Sequence, residues 1–399
     1  MAWVSRAGDA GRRRRRRGAR DPARTRPLPT HVLGAPGGQR GRARMSRWPE
    51  LAAHLALVNG VGPGTKVGIF ATTVGALDAV AAFVEEVYRL GGVPQVLLTE
   101  ERYDRYALAH ADEEVLRVPA PLELASMEWA DVHVSFRGME PPAAEIDGAR
   151  LSLQREGKGV VSTARWRGTR WTLVRIPSAE WADLVGVPAA QLEREFFAGT
   201  LADWEAHRAH LDRLCERLNG VRTVRIVDAG TDLILDCTGR TWVPFAGEAN
   251  LPDGEVATAP REDGVDGRIS FPGRFWFGGA RITDLRLEFS GGRVVRAEAA
   301  EGADFVDRVL AAPGARVVGE LGIGTNPSMR TMTGDLLLDE KILGTVHIAL
   351  GRSYPQCGGL NESAIHWDIV KDLRPSGRLE IDGEALIDGE RYAPVLAGD

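Results

Sequence analysis

The sequence predicts an α/β protein in two parts, an N-terminal parallel α/β domain followed by a strand-rich α+β C-terminal domain. Up to Leu218, short apolar runs alternate with amphipathic stretches of helical period. Beyond the Asn219-Gly220 turn, closely spaced segments of period two dominate, separated by glycine-rich turns. With 399 residues and 44% hydrophobic content, the chain is long enough to bury two cores.

The first 44 residues stand apart. They hold thirteen arginines against Asp9 and Asp21, a local charge of +11 in a chain of net charge −5, so the remainder carries −16. A Gly/Pro-interrupted segment of this kind cannot build a core, and residues 1–44 are expected to be a disordered, dispensable tail. No apolar stretch follows the arginines as a secretory signal requires, and ordinary patterning begins at Met45, as if the start were over-extended. The domains are then expected at 45–218 and 219–399.

From Trp48 to Val58 leucines and alanines recur at helical spacing, closed by Asn59-Gly60. Lys66–Phe70 reads as a strand, Leu77–Leu90 as an amphipathic helix and Gln95–Leu98 as a second strand, a β-α-β unit. Further strands are expected at Asp131–Phe136 and Thr169–Ile176, with helices between Ser178 and Leu218. The glycines of VNGVGPG precede the first strand instead of following it, which removes the dinucleotide-binding reading. His207 and His210 fall beside core leucines and are expected to pack. After Gly220 the strands TVRIV, DLILD, ARITDLRLEFS and RVVRAEA follow in turn.

Several partners are excluded. No stretch of about 18 uncharged apolar residues exists, so no membrane span is expected. Cys215, Cys237 and Cys357 form an odd set without C-x-x-C spacing, which indicates neither a disulfide framework nor a thiolate zinc site and suits a reducing, cytoplasmic compartment. Nucleic acid is not an expected partner.

The chemistry concentrates between Gly319 and Val370. Glu320, His347, Tyr354, His366 and Asp368 sit on segments that otherwise read as buried strands and tight turns. Buried charge has a cost of several kcal/mol unless it is paired or binds an ion, so a metal is the first expectation. In GTVHIALG, period two puts Thr345, His347 and Ala349 on one face; in AIHWDIV it puts His366, Asp368 and Val370 together. Upstream, GEANLPDGEVATAP presents Glu255 at a strand start beside the Asp253-Gly254 turn. The metal-ligand candidates are therefore Glu255, Glu320, His347, His366 and Asp368, a mixed N/O set of the size that two carboxylate-bridged divalent ions need.

The motifs NLPDGEVATAP, GELGIGTNP, DEKILGTVHIALG with a following tyrosine, and NESAIHWD resemble the metal-dependent aminopeptidase T family, from about Arg165 to the C-terminus. The resemblance implies that those five residues bind metal and that Tyr354 lies near the reacting carbonyl. It further implies a homodimeric hydrolase that removes N-terminal residues from short peptides using two divalent ions (zinc, cobalt, manganese or magnesium), with the C-terminal domain catalytic. The expected reaction is attack by a metal-activated water on the first peptide bond, Tyr354 donating to the oxyanion. For the general base Glu340 is the first candidate, an ion pair with Lys341 or an exposed turn being its plain alternative; Glu362 is weaker. Cys357 has no basic partner nearby and is expected to be an inert thiol. The segment between Tyr354 and His366 is shorter than in typical members, which alters the pocket wall. The runner-up is a mononuclear non-haem iron ring-cleaving dioxygenase resembling the 2,5-dihydroxypyridine enzymes, which replace the glutamate at position 320 and lose the histidine at position 347; a non-catalytic metal binder is third.

Overall fold

In the computed structural model, residues 47–139, 148–278 and 280–398 are described; the arginine-rich stretch 1–44 lies outside them. Helix α1 (Trp48–Val58) carries Pro49 in its first turn, where a missing N–H costs nothing, and buries Leu51, Ala52, Leu55 and Ala56 along one stripe. Strand β1 (Lys66–Ala71), helix α2 (Leu77–Arg89) and strand β2 (Val93–Leu98) form the expected β-α-β unit, with Lys66 paired in parallel to Val93.

Three short helices, α3 (Glu101–His110), α4 (Glu113–Arg117) and α5 (Pro121–Trp129), lead into β3 (Val132–Gly138). The long helix α6 (Gly148–Gly168) leads into β4 (Arg170–Ile176). None of these four helices is read from the sequence. Strand β3 divides its side chains cleanly: Val132, Val134 and Phe136 join the apolar core with Phe83 of α2, while His133, Ser135 and Arg137 line a cavity on the other face. Helices α7 (Ala179–Val185), α8 (Ala189–Thr200) and α9 (Trp204–Leu218) complete the helical stretch.

Strands then take over: β5 (Thr223–Asp228), β6 (Thr231–Asp236), β7 (Val243–Phe245), β8 (Asn250–Leu251), β9 (Glu255–Thr258), β10 (Val265–Phe277), β11 (Ala280–Ser290) and β12 (Arg293–Glu298). Helix α10 (Ala303–Leu310) precedes β13 (Val318–Gly324), the short α11 (Leu336–Asp339), β14 (Thr345–Gly351), β15 (His366–Asp372), β16 (Arg378–Ile381), β17 (Glu384–Asp388) and β18 (Arg391–Tyr392).

Among the described residues these strands make three sheets. The first is parallel, in the order β2-β1-β3-β4-β8, so its order reverses between β1 and β3. Its last strand comes from beyond Leu218 and passes directly into the turn that carries Glu255. The second, of eight strands, and the third, in the order β15-β14-β13-β9-β7, are antiparallel. The apolar face of the third sheet buries Val256, Leu321, Ile323, Ile348, Leu350, Trp367 and Ile369 completely. At about 1.5–3 kcal/mol for each large aliphatic side chain, this face fixes the register that places the polar face opposite.

Candidate metal centre

The polar face of the third sheet gathers the candidates from four adjacent strands: Glu255 from β9, Glu320 from β13, His347 from β14, and His366 with Asp368 from β15. Small residues oppose them across the ladder. Gly322 faces His347, Gly324 faces Glu255, Gly351 faces His366, and Ala349 stands between Glu320 and Asp368. A Cβ at Gly322 would overlap the His347 ring, so glycine there is a condition of the site. Trading side chains for space along one face is what lets bulky polar groups converge.

The groups do converge. His347 Nε2 lies 3.5 Å from Glu320 Oε1 and 3.8 Å from Glu255 Oε2; His366 Nε2 lies 3.1 Å from Glu320 Oε2 and 3.3 Å from Asp368 Oδ1. Two sets of donor atoms lie within 4.8 Å of one another, Glu255 with Glu340 and His347, and Glu320 with His347 and Asp368. Glu340 at the end of α11 is therefore buried beside the cluster, not on an exposed turn, and its Oε1 is also 2.8 Å from Lys341 Nζ. Glu362 is exposed. The Tyr354 ring, half-buried, sits 5.3 Å from that of His366.

Two residues in the cluster are assigned no site role by the sequence. Lys341, fully buried, donates to Glu255 Oε1 at 2.5 Å and approaches Asp253 Oδ1 at 3.7 Å. Asp253, expected only as a turn residue, is buried as well and accepts from the Gly247 N–H. Asn326 latches this turn: its side-chain amide donates to the Asp253 and Gly199 carbonyls, and its own N–H donates to the carbonyl of Lys341. The sequence signal for these roles is their place inside NLPDGEVATAP and DEKILGTVHIALG.

Electrostatics follow from the crowding. Burial opposes the charged imidazolium of His347, but Glu320, Glu255 and Glu340 outweigh it and lift its pKa to about 9. Burial likewise pulls His366 down, and Asp368 and Glu320 more than reverse it. Burial, reinforced by Glu255 and Asp368, pushes Glu340 well above the usual carboxylate range despite Lys341. Tyr354 is driven up by Glu320 first and burial second, which keeps its hydroxyl protonated.

The expected bystanders behave as packing groups. Cys357 donates to the Ala257 carbonyl at 3.8 Å, and burial pushes its thiol up to about 12. His207 meets the Thr325 hydroxyl at 3.2 Å, and His210 the Leu396 carbonyl at 3.2 Å.

The donor chemistry fits a metal. The Arg352 carbonyl, 2.9 Å from His366 Nδ1, takes that N–H in the neutral ring, leaving a lone pair on Nε2 directed at two carboxylate oxygens. Acceptors facing one another at this range need a cation or a proton between them. Glu255 Oε2 is likewise buried with no hydrogen-bond partner among the described residues. The carboxylates of Asp253, Glu255, Glu320, Glu340 and Asp368 outnumber Lys341, the one lysine among them, which suits bound cations.

Comparisons with known proteins bear on the same residues. The family model of the thermophilic metalloprotease M29 peptidases matches residues 44–392. Aminopeptidase T of Thermus thermophilus is 28% identical over 87% of this chain and 96% of its own length, and Aminopeptidase 2 of Geobacillus stearothermophilus is 27% identical over 89% and 98%. The structure of wild-type AmpT from Thermus thermophilus aligns with a TM-score of 0.74 and 25% identity, over 87% of this chain and 99% of that one. That of 2,5-dihydroxypyridine dioxygenase from Pseudomonas putida KT2440 aligns at 0.55 with 16% identity, over 88% and 98%, a likeness of fold alone.

Proposed function

The chain belongs to the M29 family of thermophilic metalloproteases and is a metal-dependent aminopeptidase, and we propose that it cleaves the first peptide bond of short peptides with two divalent cations. The observation that carries this reading is the pair of carboxylate-rich donor sets, Glu255 with Glu340 and Glu320 with Asp368, that meet at His347. Four carboxylates beside two histidines, with His347 Nε2 free to serve one ion, suit two adjacent Lewis acids better than one redox iron.

In this reading Glu255, Glu320, His347, His366 and Asp368 hold the cations. Bound there, the ions would supply a water of lowered pKa and polarise the scissile carbonyl. Lys341 holds Glu255 Oε1 and Glu340 Oε1 in place, which leaves Glu340 Oε2 to take the proton of the attacking water and return it to the leaving amine. The Tyr354 hydroxyl donates to the carbonyl oxygen as it becomes negative. The carboxylates at the cavity wall, Glu340 and Asp368, attract the free α-amine that marks a peptide's first residue. We also propose a cytoplasmic homodimer, as the family resemblance and the cysteine content suggest. Among the described residues no helix is long and apolar enough to cross a membrane.

The test is hydrolysis of leucine p-nitroanilide by protein reconstituted with zinc, cobalt, manganese or magnesium, with and without chelator, beside oxygen uptake with 2,5-dihydroxypyridine. Chelator-sensitive release of p-nitroaniline is expected. Oxygen uptake with iron and no hydrolysis would favour the dioxygenase instead.

A further inference from the structure

Through Glu340 and Asp368 the acidic centre reaches a cavity of about 710 Å³, a volume suited to a ligand of a few residues. The carboxyl end of the parallel sheet lines it too. Thr72, Thr99 and Gly138 line it just where the strand order reverses between β1 and β3, the crevice in which open α/β sheets receive ligands.

Helix α6 lines the cavity with a mixed face, which buries Val161 against Phe70 and Met127. It turns Arg155 and Arg165 toward the cavity, while Val160 and Trp166 stand 47% and 53% exposed on the outside. A helix normally buries its apolar stripe, so inward arginines call for a partner. Two other cations of the lining have one: Lys158 pairs with Asp104, and Arg175 with Asp335.

Arg155 has none. Among the described residues no carboxylate lies within 4.0 Å of it, and its guanidinium lies over the Phe277 ring at 5.1 Å. Phe277 in turn stacks on Trp367, on the face of β15 opposite His366 and Asp368, and lines the same cavity as Asp368. Arg155 Nη2 also lies close against Gly278, which has a φ of +61°. Burial alone lowers the pKa of Arg155, with no acid nearby to offset it. A planar fork held on an aromatic face and lacking a counter-ion matches a carboxylate.

We propose that Arg155 receives the C-terminal carboxylate of a short peptide whose first residue lies at the acidic centre, an inference that rests on the aminopeptidase reading. Arg165 lies ten residues further along α6, about 15 Å along the helix axis, and its Nη2 donates to the Ser162 hydroxyl. The enzyme would then select di- and tripeptides with a free C-terminus.

The chelated full-length protein should be titrated calorimetrically with Leu-Gly-Gly, with its C-terminal amide, and with Leu-Glu-Gly amide. The free acid is expected to bind about 10–100-fold tighter than either amide. Arg155→Gln should erase that preference and Arg155→Lys should restore part of it, with a matching rise in KM for the free acid and little change in kcat. Equal binding of acid and amide overturns the proposal. So does loss of the preference in Arg165→Gln with its retention in Arg155→Gln, or binding of the glutamyl amide as tightly as the free acid. Leucine p-nitroanilide has no carboxylate and isolates the underlying reading. Its hydrolysis without an acid preference sinks the Arg155 site alone, whereas its resistance to the metal-loaded protein sinks both.

Discussion

His347 and His133 are equally buried, each 1% exposed, yet the molecule drives them in opposite directions. Burial lowers both. At His347 the carboxylates of the antiparallel sheet overcome it and carry the pKa to about 9; at His133, on the parallel sheet, Arg165 and Arg137 add to it and take the pKa to about 3. One imidazole faces acceptors that demand a shared cation, and the other is a neutral spacer beside guanidiniums. The contrast teaches that a buried histidine is a ligand candidate through its neighbours and not through its burial. It also describes the cavity, acidic at one wall and basic along another.

The largest effect should come from the acidic wall. Glu320→Gln removes the carboxylate shared by both histidines, and it should abolish metal binding and activity together by more than the ~100-fold that an outer-shell partner costs. Circular dichroism should stay native. Full activity in that variant would break the contrast. Tyr354→Phe should keep the metal and lower kcat by about 10²–10³-fold, read from steady-state kinetics beside metal analysis.

The two lysines sharpen the comparison through stability. Lys341→Met leaves buried carboxylates without their cation and should cost the chelated protein about 3–5 kcal/mol in urea unfolding, part of it recovered by divalent metal. Lys158→Met breaks a half-exposed pair at the basic wall and should cost under about 1 kcal/mol. The smallest effect concerns pH. Because the folded pKa of His133 lies below its unfolded value, it contributes stability that is present above about pH 6.5 and lost as the pH falls toward about 3. His133→Gln should make the loss of stability on acidification shallower, measured by urea midpoints at pH 7 and pH 4.5.

The acidic wall was legible because strand alternation is local. Period two alone put His347 on a polar face and His366 beside Asp368, and β15 shows that alternation in its burial. Glu255 beside its turn is a weak signal alone and becomes a candidate only next to the later cluster. Lys341 was not, since whether a lysine at a strand approach is swallowed depends on Asp253 and Glu255, more than eighty residues away in sequence. Helix α6 was hidden for a related reason. Its inward face mixes Arg155, Lys158 and Arg165 with Leu151 and Val161, so apolar periodicity is weak, and Gly157 is required where the helix meets the Val118 carbonyl, with no room for a Cβ. The basic wall assembles from β3, β4 and α6, and no single stretch announces it.

The central claim is that one antiparallel face binds a pair of cations. Equilibrium dialysis of the purified chain against zinc or cobalt, followed by elemental analysis, measures this directly. Two divalent ions per chain, lost in Glu320→Gln, is the predicted result; a single ion unaffected by that substitution, or none, would contradict it.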